Sequence, residues 1–212
     1  MIHVAVMVIR ILLQFHTYRR QWRRFWVLIT RFGYILFVLY GLISWFRPRP
    51  AGMRIQRRET LLYCLFAVIT GSVLSRLIGA VWRRPRPFMN GKKAWCAHKD
   101  NASFPSNHTM NSVAISCIFL ARGETAGMPL LIWSGVLAVS RVICRLHYVS
   151  DIIGGAFLGA GISHVLYHNK KIKKIIRYLL DRYEERIQAV SYTHLTLPTI
   201  LRSCRSRWSP YH

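Results

Sequence analysis

Apolar residues in this chain gather into long runs rather than alternating or recurring at the interval of a half-buried surface helix. Five runs stand out: Phe25–Phe46, Thr60–Trp82, His108–Ala121, Met128–Ile143 and Ile152–Tyr167. The first two reach the roughly 20 residues that a helix needs to cross hydrocarbon. The other three are shorter and span only if their polar ends are counted. No charge falls within Phe32–Phe46 or Thr60–Ser75, which argues against a soluble bundle with long core helices. The pattern predicts an all-α fold, a polytopic membrane helical bundle of about five transmembrane spans. Ahead of them, Ile2–Trp26 predicts an interfacial amphipathic helix in which Arg10, Arg19 and Arg23 snorkel.

Three connections separate the runs. Arg47–Glu59 is rich in Pro and Arg, Arg83–Asn107 is long and carries Pro, Lys and aromatic residues, and Arg122–Gly127 is short with two glycines. Pro85 and Pro87 forbid helix continuation in the second. The positive-inside rule places Arg47–Arg58 in the cytoplasm, and likewise Lys170–Arg186 with Lys170, Lys171, Lys173, Lys174 and Arg177. Counting crossings from there puts Arg83–His108 and His147–Asp151 together on the outer face. Arg19, Arg20, Arg23 and Arg24 fall on that face too, against the rule, and the interfacial helix accommodates them.

The formal net charge of +24 would suit nucleic acid, anionic lipid or a phosphorylated substrate. Its distribution decides: Arg and Lys lie between and beyond the apolar runs, as at a bilayer surface, not over one soluble face. The expected partners are therefore membrane lipid and no nucleic acid. Of five cysteines, Cys64, Cys117 and Cys144 lie in or beside apolar runs and read as small core residues. They suggest neither a disulfide framework nor a zinc site. Asn101-Ala102-Ser103 and Asn107-His108-Thr109 match a glycosylation pattern too common to carry weight. From Val190 to His212 the chain turns into a polar mixture without periodicity. Two pieces of it resemble one reading frame of a transposon-library sequencing adapter, with Ile200–Ser203 where an index would fall. We therefore expect a membrane domain over 1–189 and a translated-adapter scar over 190–212, with the native C-terminus missing.

Ionisable groups at span ends on the shared face are costly near a bilayer and suggest function: Arg76, Arg83, Arg84, Arg86, His108, Arg141, Arg145, His147 and Asp151. Asp151 follows His147 by four residues, which on a helical turn brings both side chains to one face. A carboxylate on one ring nitrogen fixes the tautomer and frees the other for attack on phosphorus. An ordinary helix cap is the plain alternative for such a pair in isolation.

Context favours chemistry. Arg84-Pro85-Arg86-Pro87-Phe88 is followed by Phe104-Pro105-Ser106-Asn107-His108, and then by Ser140-Arg141 with His147 and Asp151 at fixed spacing. These three elements, over about residues 76–155, resemble the signature motifs of the type 2 phosphatidic acid phosphatase superfamily. Their wording is most similar to bacterial undecaprenyl-diphosphate phosphatases of the bacitracin-resistance type. Two departures stand out. Asn107 replaces the glycine usual before the histidine, and Gly79 occupies the position of a lysine seven residues before Arg86, so that Arg76, Arg83 or Arg84 is left to supply the cation.

The resemblance implies a lipid-phosphate phosphatase acting through a phosphohistidine, with a lipid-linked phosphate as substrate and no metal or other cofactor. It implies His147 as nucleophile, Asp151 as its orienter, and His108 as the acid that protonates the leaving oxygen and later activates water. Arg86, Arg141 and Ser106 would bind phosphate oxygens, and the expected location is the bacterial plasma membrane with the site on the extracytoplasmic side. His98, His164 and His168 have no matching partners. Gly154, Gly155, Gly159 and Gly161 predict close helix packing behind the site.

Overall fold

The computed structural model describes residues 18–89, 93–96 and 101–205, with side chains up to residue 187. All regular structure among these residues is helical. The elements are α1 (Tyr18–Phe32), α2 (Ile35–Phe46), α3 (Ala51–Val81), a 3₁₀ turn (Pro87–Met89), α4 (Asn107–Ala121), α5 (Gly127–Ile143), α6 (Val149–His168) and α7 (Lys170–Arg205). The chain divides into two units, Met1–Asn169 with the bundle and Lys170–His212 with α7. Helix α7 opens on its lysines and carries an exposed Arg182–Glu185 pair at 3.4 Å.

Helices α3 and α6 are long and apolar enough to cross a membrane, and α1 with α2 makes a third span if counted as one. The expected run Phe25–Phe46 is bent by 46° between α1 and α2. Gly33 stands at the break, and its carbonyl accepts a hydrogen bond from Trp133 Nε1 of α5 at 2.9 Å, so a side chain has captured a group the helix ladder gives up there. Two expectations are corrected. Residues 18–26 are part of α1 and run straight into the first apolar run rather than forming a separate interfacial helix; the rest of that expectation, 2–17, lies outside the described residues. The polar connection Arg47–Glu59 is short, because α3 begins at Ala51, directly after Pro50, which cannot donate to a preceding turn.

The polarity of the bundle suits lipid. Large apolar side chains such as Leu77, Val81, Ile132 and Phe157 face outward, while Ser112, Ser116, Ser134 and Ser140 are fully buried. Ser116 and Ser134 share a hydrogen bond at 3.0 Å across α4 and α5, and Thr30 donates to Ser140 at 2.9 Å across α1 and α5. Such hydroxyl pairs hold helices where water offers no alternative partner. Helix α4 is the hub and packs on α3, α5 and α6. A Cβ on Gly159 would run into the Met110 carbonyl, one on Gly155 would lie 2.9 Å from the Ser106 carbonyl, and one on Gly154 would strike the Phe104 ring. Those three glycines are what lets α6 lie against α4 and the segment before it. Gly161, expected to join them, faces open space: a Cβ there would meet nothing within 4 Å.

The two ends of the bundle differ. At one, Arg57 pairs with Glu124 at 2.6 Å and Arg122 with Glu59 at 2.8 Å, all four mostly buried. At the other, α3 ends, α4 begins, α5 ends and α6 begins, and the three motif segments converge there. Helix α5 stops in a Schellman turn: Leu146 N–H donates to the Arg141 carbonyl and Arg145 N–H to that of Val142. Arg145 occupies the left-handed position at φ 62°, and the reversal delivers His147 to the site. Because a side chain is strained in that region by about 1 kcal/mol or more, Arg145→Gly should leave stability unchanged or raise it by up to about 1 kcal/mol, whereas Arg145→Val should lower it by a similar amount. Thermal midpoints in detergent check this, and a Gly variant less stable than the Val variant would contradict it.

Candidate active site

Arg86, on the 3₁₀ turn's threshold, is 3 % exposed and held in a clamp of acceptors. Its Nε donates to the Asn101 carbonyl at 3.0 Å and its Nη2 to Asn101 Oδ1 at 2.7 Å. Nη1 donates to the Leu146 carbonyl at 2.9 Å and lies 3.2 Å from His147 Nε2. The first and third motifs thus meet at an arginine and an imidazole sixty-one residues apart.

His147 is itself buried. Its Nδ1 lies 2.7 Å from the Ser103 carbonyl, which can only accept, so Nδ1 carries the proton and Nε2 presents a lone pair. The expected orienter stands beside the ring without bonding it. Asp151 Oδ2 is 3.6 Å from Nδ1, beyond direct hydrogen-bond range. His147 precedes α6 instead of lying on its first turn, so the four-residue spacing brings the pair close without bonding it. Asp151 is fully buried and spends its oxygens elsewhere: Oδ2 accepts from the Ser103 hydroxyl and from Tyr148 N–H at 2.9 Å, Oδ1 from Arg84 Nη1 at 2.6 Å. The bond to Tyr148 N–H caps α6. Asp151 is therefore both the cap of the plain reading and a positioning residue that acts on His147 through Ser103.

Arg84 is committed to this network. It also donates to Ser150 Oγ at 2.8 Å and lies 4.3 Å over the Tyr148 ring. Those bonds occupy the guanidinium that the sequence offered to phosphate. Arg83 lines an adjoining depression beside Met89. Arg76 instead lines a cavity of about 480 Å³ with Ser72, Ser75, Gly79, Arg86, Asn101, Asn107, His108 and His147. Of the three candidates for the missing cation, it alone shares the cavity of both histidines. His108 rests edge-on against Tyr34, with ring centroids 5.6 Å apart.

Ser106 is fully buried and shares a hydrogen bond with Thr109 Oγ1 at 3.0 Å, away from the cavity lining. Its hydroxyl, expected to meet phosphate, is here paired within the first turn of α4. Asn107 lines the cavity and accepts from Asn111 Nδ2 at 3.2 Å. Arg141 is 3 % exposed, close enough to act electrostatically on Arg86 and His147, and its Nε has no hydrogen-bond partner among the described residues. His98 lies outside the described residues. His164 and His168 stack on each other at 4.5 Å, apart from the cavity.

The balance of charge suits an anion. Arg84 neutralises Asp151, and among the described residues no acid lines the cavity in which Arg76 and Arg86 stand, with Arg141 close behind. The positive end of α4 opens on the same space at Asn107 and His108. Burial holds the His147 pKa below the ordinary imidazole value of 6.5, and Arg86 and Arg141 push the same way against the opposing pull of Asp151 and the Ser103 carbonyl. The ring is thus neutral near pH 7, as attack by Nε2 requires. Falling pH adds the proton that blocks the lone pair, so the acid limb of kcat/KM should lie below pH 6.5. A limb above that value, measured in the free enzyme, would remove His147 as the attacking base.

Sequence reasoning missed Asn101 and Ser103. Their only signal was position, just ahead of the second motif, and a triplet pattern that pointed to a different chemistry.

A family model described as the PAP2 superfamily matches residues 60–174, across all three motifs. The chain belongs to this superfamily. Undecaprenyl-diphosphatase BcrC of Bacillus subtilis (strain 168) is 30% identical over 162 residues, covering 76% of this chain and 81% of that protein. Decaprenylphosphoryl-5-phosphoribose phosphatase of Mycobacterium tuberculosis (strain ATCC 25618 / H37Rv) is 29% identical over 135 residues, covering 63% of this chain and 70% of that protein. The crystal structure of a transmembrane PAP2 type phosphatidylglycerolphosphate phosphatase from Bacillus subtilis shares the fold, with a TM-score of 0.50 at 21% identity, over 79% of this chain and 78% of that one. This PAP2 chain is thus a multi-pass bacterial membrane phosphatase, and the superfamily match accounts for the order of its motifs.

Proposed function

We propose that this chain hydrolyses undecaprenyl diphosphate to undecaprenyl phosphate and inorganic phosphate through a phosphohistidine at His147. The observation that carries the reading is the cavity in which His147 Nε2, with Nδ1 committed to Ser103, stands beside Arg86 and shares walls with His108 and Arg76. An arriving phosphate takes over the Arg86 Nη1 hydrogen bond, which releases the Nε2 lone pair. Nε2 attacks the terminal phosphorus, and the bond from phosphorus to the bridging oxygen breaks. His108 gives its proton to that oxygen. Neutral His108 then removes a proton from water, hydroxide attacks the phosphohistidine, the P–N bond breaks, and phosphate leaves with Nε2 restored. Arg86, Arg141 and Arg76 meet the charge spread over the transferring oxygens.

The diphosphate assignment rests on the likeness to the Bacillus subtilis undecaprenyl-diphosphatase and on Arg76 as a further cation in the same cavity. Counting α1 with α2 as one crossing, α3, α4, α5 and α6 give five. Arg47, Arg49, Arg54, Arg57 and Arg58 at the end away from the site favour a cytoplasmic position for that end, and with it an extracytoplasmic cavity. Residues 190–212 are read as translated adapter, and codons unlike the adapter would refute that.

A phosphate-release assay on a panel of lipid phosphates tests the function. Undecaprenyl diphosphate should turn over fastest, by roughly tenfold or more in kcat/KM, and chelators should leave the rate unchanged because imidazoles and guanidiniums carry the chemistry. Faster release from phosphatidylglycerophosphate, phosphatidate or a lipid A phosphate would reassign the substrate. No release from any of them would point instead to a binder of anionic lipid.

A further inference from the structure

Close to the site, but outside its chemistry, two thiols come near each other. Cys144 closes α5, three residues after Arg141 and three before His147, and is fully buried. Its Sγ lies 3.2 Å from Thr30 Oγ1, and its carbonyl accepts a hydrogen bond from Trp95 N–H at 3.3 Å. The Trp95 contact lays residues 93–96 along the end of α5. There the Cys96 thiol, half-exposed, lies near enough to the Cys144 thiol for each to bear on the other's ionisation. Trp95 is in turn backed by Arg23 of α1, 5.8 Å from its ring centroid. The backbone hydrogen bond from Trp95 to Cys144 brings the neighbouring Cys96 beside the end of α5, where a turn of its side chain toward Cys144 would offer disulfide geometry.

We propose that Cys96 and Cys144 form a reversible intramolecular disulfide, a redox-modification site that ties the connection carrying Arg86 to the turn carrying His147. The two thiols differ as an attacking and a resolving pair should. The nearby Cys144 thiol, with the charges of Arg141 and Arg31, lowers the Cys96 pKa to about 7 against the effect of burial, so much of it is thiolate near neutrality. The nearby Cys96 thiol and its own burial raise Cys144, which stays protonated. With a small-molecule disulfide such as oxidised glutathione as oxidant, the Cys96 thiolate attacks one sulfur and expels one glutathione thiolate. Cys144 then loses its proton to solvent and attacks the Cys96 sulfur of the mixed disulfide, expelling the second. Two protein thiols are oxidised and one disulfide is reduced. The inference does not depend on the phosphatase reading.

The test uses the full chain purified in detergent, incubated with oxidised glutathione, alkylated and mapped by mass spectrometry. The expected product is a Cys96 peptide joined to a Cys144 peptide, two hydrogens lighter than the separate pair and separated again by reductant. Its formation should raise the temperature of half-unfolding by roughly 5–10 °C, and Cys96→Ser should show neither the link nor the shift. Mapping the unsubstituted protein needs no variant, so misfolding of Cys96→Ser cannot obscure the result. Full alkylation of both cysteines after oxidant, glutathione retained on Cys96 alone, or links only between separate chains would each overturn the site. A link formed without a change in midpoint would overturn its role in tying the two segments together.

Discussion

Replacing His147 with alanine should reduce phosphate release to background, a loss of roughly 10⁴-fold or more in kcat, while leaving membrane insertion intact. No neighbouring group can take its place. Asp151 is enclosed by Ser103, Tyr148 and Arg84 and has no exposed surface. His108 lines the same cavity and in the proposed mechanism is committed to proton transfer. The variant also exposes the covalent step. Rapid quenching of the unsubstituted enzyme with labelled substrate should yield a protein-bound phosphate that survives alkali and is lost in acid, as a phosphoramidate does. His147→Ala should carry none, and His108→Ala, slowed in the step that activates water, should retain it longer. Unchanged turnover in His147→Ala would remove the nucleophile, and with it the proposed mechanism.

Loss of Arg84 should be the second largest change, and it should act through structure. Asp151 is fully buried and Arg84 is its cationic partner at 2.6 Å. Removing one member of such a pair strands the other, at a cost of about 3–5 kcal/mol. Arg84→Ala should therefore lower the thermal midpoint markedly and cut kcat by roughly 10²-fold, because Ser103 and the ring it holds lose their anchor. The double variant Arg84→Ala with Asp151→Asn removes the stranded charge. It should be more stable than Arg84→Ala alone, with a coupling of at least about 1 kcal/mol. Additive losses would show that the two residues do not act as a unit. A rise in KM with kcat unchanged would place Arg84 in the phosphate-binding set instead.

The Arg84 result illustrates where local reading reaches its end. Two arginines, two residues apart and each followed by proline, are the same in type, and only the fold turns one toward His147 and the other toward Asp151. The His147–Asp151 spacing was legible and the contact was not, because α6 begins two residues after His147 and its first turn cannot hold the imidazole. Ser103 reaches His147 through a backbone carbonyl, a group every residue has. Gly161 shares the spacing of its packed neighbours but faces away from α4.

By itself, the sequence determined the helical class, the positions of the apolar runs and the identity of the two histidines and the motif arginines. These follow from hydrophobicity along the chain and from residue types at fixed intervals, which are local properties. The tertiary structure alone decided the bend at Gly33, the choice of Arg76 over Arg83 and Arg84 as the cavity's further cation, and the clamp of Asn101 and Ser103. Those depend on which groups meet when segments 15 to 100 residues apart in the chain close against each other, and nothing in the composition of a segment records the partner it will find.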